Sequence, residues 1–364
     1  MLSLHETVCA QDETIKKKKR ENVFLHPRKF YKKYFPHLKI KSDPPDSAYI
    51  KIYPDYLSIS AHVLSPAIGI DIGPGSTHAN GALKFKTNIG DILGFSATYR
   101  FVGAGFAFLL NSGAPSQDGY AKSRYRTATI KYNSKVYSLQ FKYLRFKGLT
   151  DIERPSGMDP SIGNIKRPDI VNKEFHFEGL YNPRWRKYSY IASLTFTQRQ
   201  VKSSAGFLLQ TGVYYSQLSG DSALVGPEKA KYYGDFKDVK LIKSLSIRLA
   251  PGVGANFVIF KSYYLSFAAF PFYDLYFYKY LHDSDEKVKG RQAFIFVLDG
   301  KASLGYHSER VYGGLRIDVE RRSASLHDID MNAMYTYLGV EFGYRFNTPR
   351  IVKKVYRETM PPGM

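Results

Sequence analysis

From Leu338 to Phe346 every second residue is large and apolar: Leu338, Val340, Phe342, Tyr344 and Phe346. Between them stand Gly339, Glu341, Gly343 and Arg345. Alternation with a period of two makes a strand with one apolar and one polar face. The same pattern recurs along the chain. Leu57, Ile59, Ala61 and Val63 alternate with Ser58, Ser60 and His62, and after an interruption at Pro66 the series resumes at Ile68, Ile70 and Ile72. Phe95, Ala97, Tyr99 and Phe101 alternate with Ser96, Thr98 and Arg100, and Gly103 and Gly105 suit a reversal into residues 106–109. Residues 123–132 and 136–148 read as a hairpin about Asn133-Ser134. Further strands are predicted at 174–181, 188–197, 205–217, 244–259, 263–279, 294–306 and 311–320.

This makes about thirteen strands, where single-chain bacterial barrels use even numbers. Either 82–88 is an additional strand or 103–110 continues the one before it. The pattern therefore predicts an all-β fold, an antiparallel transmembrane β-barrel of 12 (possibly 14) strands. Many strands exceed the roughly 9–11 residues that cross a bilayer, so they should project beyond it. Tight turns (Lys261-Ser262, Ser308-Glu309-Arg310) contrast with long polar loops at 150–171, 220–243, 280–291 and 323–332. Short periplasmic turns and long outer loops produce that division. A soluble β-sandwich would show the same alternation with its apolar residues inside.

Composition changes the picture in three ways. No stretch reaches the roughly 18–20 apolar residues of a membrane helix, and mean hydropathy is −0.32. Tyr (30) and Phe (25) dominate over one Trp, and Tyr combines an apolar ring with a wet tip suited to strands and membrane interfaces. The net charge of +21 is concentrated near the N-terminus, where residues 14–41 hold nine lysines and two arginines against one glutamate. That run reads as a basic solvated arm or one facing acidic lipid. Without zinc spacing, an RNP motif or a basic helix it does not indicate nucleic acid.

The domain reading follows. Residues 1–10 resemble the remnant of a secretory signal, with Val8 and Ala10 placed as at a small-residue cleavage site. Residues 11–55 form a basic periplasmic pre-barrel segment, with an amphipathic turn at Phe30–Phe35, residues 56–346 the barrel, and 347–364 a basic tail. Cys9 is the single cysteine, so a disulfide framework and a thiolate cluster are excluded.

The charges opposite the large apolar residues are candidates for the lumen: Arg100, Lys142, Glu174, Glu178, Arg248, Lys301, Arg316, Asp318, Glu320, Glu341 and Arg345. Mixed signs there can pair and plug the lumen or line a charged pore. Arg199, with Lys202, stands in a polar break between long strands and is expected to fold inward onto lumen carboxylates. No nucleophile elbow or His-x-Ser pairing indicates catalysis. The acidic stretches His282-Asp283-Ser284-Asp285-Glu286 and His327-Asp328-Ile329-Asp330 lack EF-hand spacing, and Gly73–Thr77 lacks the ending of a phosphate loop. No cofactor or metal is implied, and the reading is of a non-enzyme.

Several segments resemble a known family. They are Tyr125–Thr129, Tyr143–Gly148, Lys187–Tyr190, and Gln198-Arg199-Gln200 followed by Ser203–Phe207. Together they resemble the bacterial family catalogued as domain of unknown function 4421, common in Bacteroidetes-type genomes, over roughly Tyr49 to Phe346. The resemblance implies an outer-membrane barrel and supplies no catalytic residue. Outer-membrane lipid, and the barrel-assembly machinery during insertion, are the expected partners. A narrow channel, a small-solute or lipid-handling barrel and a structural envelope component are the functions open to such a chain. The rivals are a lipid-modifying barrel enzyme, which needs a Ser/His/carboxylate cluster at one rim, and a soluble sandwich with a binding role.

Overall fold

The computed structural model describes residues 44–74, 81–110, 119–154, 164–192, 196–282, 290–326 and 329–360. Among the described residues fifteen strands run in chain order: β1 (Ile50–Ile52), β2 (Tyr56–Gly73), β3 (Leu83–Thr87), β4 (Ile92–Tyr99), β5 (Val102–Leu109), β6 (Arg124–Asn133), β7 (Tyr137–Asp151) and β8 (Ile165–Tyr181), then β9 (Gln198–Gln200), β10 (Ser204–Ser219), β11 (Val239–Ile259), β12 (Tyr263–His282), β13 (Arg291–His307), β14 (Val311–Ser325) and β15 (Asp330–Asn347). Short 3-10 turns lie at Tyr190–Ala192, Ala230–Tyr232 and Gly234–Asp238. The chain divides into two units, one running Ser42–Thr348 and a second that holds the C-terminal residues from Pro349. In the second, Arg350–Thr359 forms a helix, α1, with Ile351 and Val355 exposed, where the sequence reading placed only a basic tail.

Twelve of the described strands close into one antiparallel ring, β2-β4-β5-β6-β7-β8-β10-β11-β12-β13-β14-β15. Closure is made by β15 against β2, in unbroken register from Asp330↔Gly73 to Asn347↔Tyr56. Closure leaves no unpaired edge, which a backbone in lipid requires. The thirteenth strand of the sequence reading, 188–197, is not in the wall. Tyr188, Ser189, Ile191, Ala192 and Phe196 are all buried, so neighbours of both parities are covered, as in an inserted segment.

The ring is not uniform. β3 and β4 lie end to end along one edge of β2, β3 pairing from Ile72↔Leu83 to Gly69↔Lys86 and β4 from Leu64↔Ile92 to Leu57↔Tyr99. The other edge of β3 pairs β7 (Phe85↔Asp151 to Thr87↔Leu149), whereas further along β7 pairs β6. The β5–β6 hairpin is thus wedged between β4 and β7 over only part of the height. The ring has twelve strands at the end with the tight turns and ten at the other. Both alternatives for the odd strand count meet here: 82–88 is a strand, and 103–110 is separate from the one before it.

The fork where β7 changes partner is closed by backbone. Ser123 Oγ donates to the Gly148 carbonyl (2.6 Å) and accepts from Asn88 N–H (2.9 Å), and Ala121 N–H donates to Thr150 Oγ1 (2.7 Å). Gly148 sits at φ +85°, and a Cβ there would run into the Lys122 carbonyl oxygen. Gly148→Ala is therefore expected to cost about 2 kcal/mol, read as an earlier urea transition of the barrel in detergent. An unchanged midpoint would show that the fork relaxes freely.

Two other expectations are corrected. The β4–β5 reversal is made by Arg100-Phe101, with Arg100 at φ +52°, rather than at Gly103 and Gly105. The chain is not broken at Pro66, since β2 is continuous and its apolar residues change face: Leu57, Ile59, Ala61 and Val63 point outward while Ile68, Ile70 and Ile72 are buried inside. The same change occurs on β7, where Phe141 is exposed outside and Lys142 faces in, but Leu144 and Phe146 are buried inside and Arg145 and Lys147 face out. The membrane ends where the parity flips. Below the flip the surroundings are lipid, so apolar residues face out. Above it they are water, so the apolar residues turn in.

The expectations for residues 1–43, including Cys9, the basic run and Phe30–Phe35, lie outside the described residues. So do residues 75–80, 155–163, 283–289 and 327–328, which carry parts of the loops and both acidic stretches.

Candidate functional site: a filled lumen

The lumen is occupied at three levels. At the end with the tight turns, the segment between β8 and β10 turns inward. β9 pairs β1 antiparallel (Ile50↔Gln200 to Ile52↔Gln198), making a two-stranded plug. Buried amides hold it. Gln198 accepts from Ser189 Oγ (2.6 Å), and Gln200 Oε1 accepts from Ser189 N–H (2.9 Å) and from Asn256 Nδ2 (3.2 Å) on the barrel wall. Asn256 Nδ2 also donates to the Ser189 carbonyl (2.8 Å). Glycines on the wall make room, for a Cβ at Gly254 would collide with the Tyr188 hydroxyl.

Arg345 is the pin of this end and is fully buried. It donates to the Ser308 and Glu309 carbonyls (2.9 Å each) and to the Phe196 carbonyl of the plug, and it contacts His307 Nε2. Its guanidinium lies between the rings of Tyr53 (4.1 Å) and Tyr312 (4.7 Å). A planar cation suits such a place, since it stacks on two faces and donates in its own plane. Outside, Lys51 and the Tyr56 hydroxyl hold the Glu309 carboxyl below the usual carboxylate range.

At mid-height the inward charges form a connected series. Asp274 accepts from Arg248 (3.1 Å) and from Ser246 Oγ (2.7 Å). Arg248 also reaches Glu320 (3.1 Å), Glu320 accepts from Arg322 (3.0 Å), and Arg322 lies 3.7 Å from Glu174. Glu174 contacts His176 (2.7 Å) and accepts from Asn172 (2.7 Å) and the Tyr335 hydroxyl (2.6 Å). Tyr214 and Phe272 cover the two sides of Arg248 at 4.0 and 4.4 Å. Beside this series lie Arg316–Asp318 (2.6 Å) and Lys301–Asp299 (2.8 Å). Together with Lys131, Lys142, Glu178 and Tyr190 of the plug, they line a polar cavity of about 140 Å³, room for about five waters. A second cavity of about 100 Å³ adjoins it across Lys131 and Arg316 and is lined by His62, Thr98 and Glu341.

The upper level is apolar. Ile68, Ile70, Ile72, Phe146, Ile170, Tyr276, Tyr278, Tyr280, Ile295 and Val297 are buried inside the wall. The β10–β11 connection, residues 220–238, adds Leu224, Val225, Tyr233 and Phe236 to the same core. Lys229, fully buried, crosses to the far wall and donates to Asp151 (2.6 Å) and to the Ala82 carbonyl (2.7 Å). The Tyr233 hydroxyl donates to the Ile72 carbonyl (2.6 Å) and accepts from Leu83 N–H (3.0 Å).

Of the charges singled out from the sequence, Lys142, Glu174, Glu178, Arg248, Lys301, Arg316, Asp318 and Glu320 meet in the mid-height group. Glu341 accepts from Ser60 Oγ (2.7 Å) beside the second cavity. Three lie elsewhere. Arg100 is in the β4–β5 turn, because a two-residue hairpin needs its reversal there. Arg345 meets carbonyls and rings in place of carboxylates. Arg199 enters with the plug but donates to the Lys261 carbonyl and Ser262 Oγ of the β11–β12 turn, while Lys202 lies over the Tyr49 ring at 5.6 Å. At that end the plug meets the backbone of tight turns, which offers carbonyl acceptors. Sequence reading missed Lys131, His176, Asp274, Asp299, Arg322 and the Lys229–Asp151 pair. Asp274 carried a signal, as the only charge in the otherwise apolar and aromatic run 263–278. Lys229 and Asp151 carried none, being 78 residues apart.

A closed ring of twelve antiparallel strands, apolar outside and charged within, is a transmembrane β-barrel of the bacterial outer membrane. The chain belongs to the family described as domain of unknown function (DUF4421), whose model matches residues 44–346. Among solved structures, it is similar to the outer membrane protease OmpT from Escherichia coli (10% identity, 81% of this chain and 98% of that chain, TM-score 0.38). It is also similar to the translocator domain of the autotransporter NalP from Neisseria meningitidis (13%, 80% and 88%, TM-score 0.37) and to the COG4313 outer membrane channel from Pseudomonas putida F1 (8%, 84% and 100%, TM-score 0.34). No match was found among curated proteins.

Proposed function

We propose that this chain is a sealed, structural barrel of the outer membrane, non-conducting at rest. The observation that carries the reading is the plug: β1 and the β8–β10 segment, drawn from distant parts of the chain, are built into the mouth at the tight turns and pinned by Arg345. The paired charges above it and the apolar upper core support the same reading. Oppositely charged groups engaged with one another offer little to a passing ion. No catalytic step is assigned. The His176–Glu174 pair is occupied by Asn172 and Tyr335 rather than by a serine.

Planar-bilayer recording of the full chain tests this. The expected result is membrane-inserted protein with no steady conductance at moderate voltage. Uniform ohmic steps from the unmodified chain would overturn the reading in favour of a channel.

A further inference from the structure

The outer surface carries a feature that neither the barrel class nor the filled lumen requires. One cross-strand row of outward positions on six consecutive strands reads Arg126, Arg145, Lys173, Gln217, Lys243, Lys279. Each residue is directly opposite the next: Arg126↔Arg145, Arg145↔Lys173, Lys173↔Gln217, Gln217↔Lys243 and Lys243↔Lys279. The row above begins with another such pair, Arg124↔Lys147. The row below reads Ala128, Tyr143, Phe175, Tyr215, Leu245, Phe277 in the same register. Its rings touch, Tyr143 to Phe175 at 4.9 Å and Phe175 to Tyr215 at 6.3 Å between centroids.

An aromatic row marks the interface of the apolar band. The cationic row lies one step beyond it, on the side of the long loops. Strands are about 4.8 Å apart, so five cations lie along about 24 Å of wall. Like charges directly opposite one another are destabilising, and among the described residues none of the five is in an ion pair. Arg126 and Lys279 are exposed, and Arg145, Lys173 and Lys243 are half-exposed. Anions at the height of the lipid headgroups, on this side of the barrel, would relieve that repulsion.

We propose that the outward face of β6–β12 binds the phosphate groups of a phosphorylated glycolipid of the outer leaflet, with the Tyr143–Phe277 row against its acyl chains. Basic residues meet the phosphates as charge-assisted donors, and each cation near an anionic membrane surface contributes about a fivefold gain in binding. The proposal does not depend on whether the lumen conducts.

The full chain in nanodiscs, titrated with diphosphoryl lipid A and read by native mass spectrometry and thermal shift, tests it. Binding is expected to need the phosphates, with dephosphorylated lipid A and inorganic phosphate giving no shift. Arg145→Gln/Lys173→Gln/Lys243→Gln should weaken binding about a hundredfold, while Lys173→Arg/Lys243→Arg retains it. Should the triple variant fail to fold by heat-modifiable mobility, Arg126→Gln/Lys279→Gln at the exposed ends should still weaken binding about 25-fold. Equal affinity for the dephosphorylated lipid, or unchanged affinity in a folded variant, overturns the proposal. So does equal affinity for phosphatidylglycerol, which would make the row a general anionic surface.

Discussion

Arg248→Met should destabilise the barrel by about 3–5 kcal/mol, the usual cost of removing one partner from a buried charge network. The arginine and Asp274 are both almost wholly covered, with side chains 1% exposed. Once the guanidinium is gone, Asp274 keeps, among the described residues, the Ser246 hydroxyl. Glu320 is protected by Arg322, so the loss should concentrate on Asp274. The companion variant Arg248→Met/Asp274→Leu removes the orphaned charge with its partner and should recover more than half of the loss. Urea midpoints of the refolded protein in detergent decide it. Equal losses in the single and double variants would mean that ring packing with Tyr214 and Phe272, rather than charge, holds this part of the lumen.

Arg345→Ala is expected to loosen the plug, with a cost of about 3 kcal/mol from several charge-assisted hydrogen bonds to carbonyls. Two readouts report it where a global unfolding midpoint would not. Trypsin should cut faster at Arg184, Arg186 or Lys187, and planar bilayers should show brief openings absent from the unmodified chain. Arg345→Lys should restore little, because one ammonium cannot reach the carbonyls of Ser308, Glu309 and Phe196 together. An Arg345→Ala protein that stays silent, with an unchanged cleavage pattern, would remove Arg345 from the role of pin.

Much of the wall was legible. Strands β2, β7, β10–β15 follow from alternation, because lipid on one side and a filled lumen on the other impose opposite chemistry on successive residues. The closing strand is the clearest case: Leu338, Val340, Phe342, Tyr344 and Phe346 are all exposed outside, and Arg345 is buried. Alternation misled at 188–197, where a period of two belongs to a segment enclosed on every side. It was ambiguous at 82–110, where the ring changes from ten strands to twelve. Which end of that change β3 and β5 occupy depends on pairings with β2 and β7, and no local pattern encodes them. The lumen charges were legible as a set for the same reason of parity. Their partners were not, since Glu174 meets Tyr335 across 161 residues and only the closed ring brings them within a hydrogen bond.

By itself the sequence determined that the chain makes antiparallel strands with one apolar and one polar face, since residue type must follow the solvent each face meets; the closed ring decided that the apolar face points outward. The tertiary structure alone decided that the lumen is filled, because the plug, the Lys229 crossing and the Arg248 series each join residues that are remote along the chain. It also aligned the cations of β6–β12 into one row. Strand register, set by hydrogen bonding between neighbours, is what turned scattered lysines and arginines into a continuous surface.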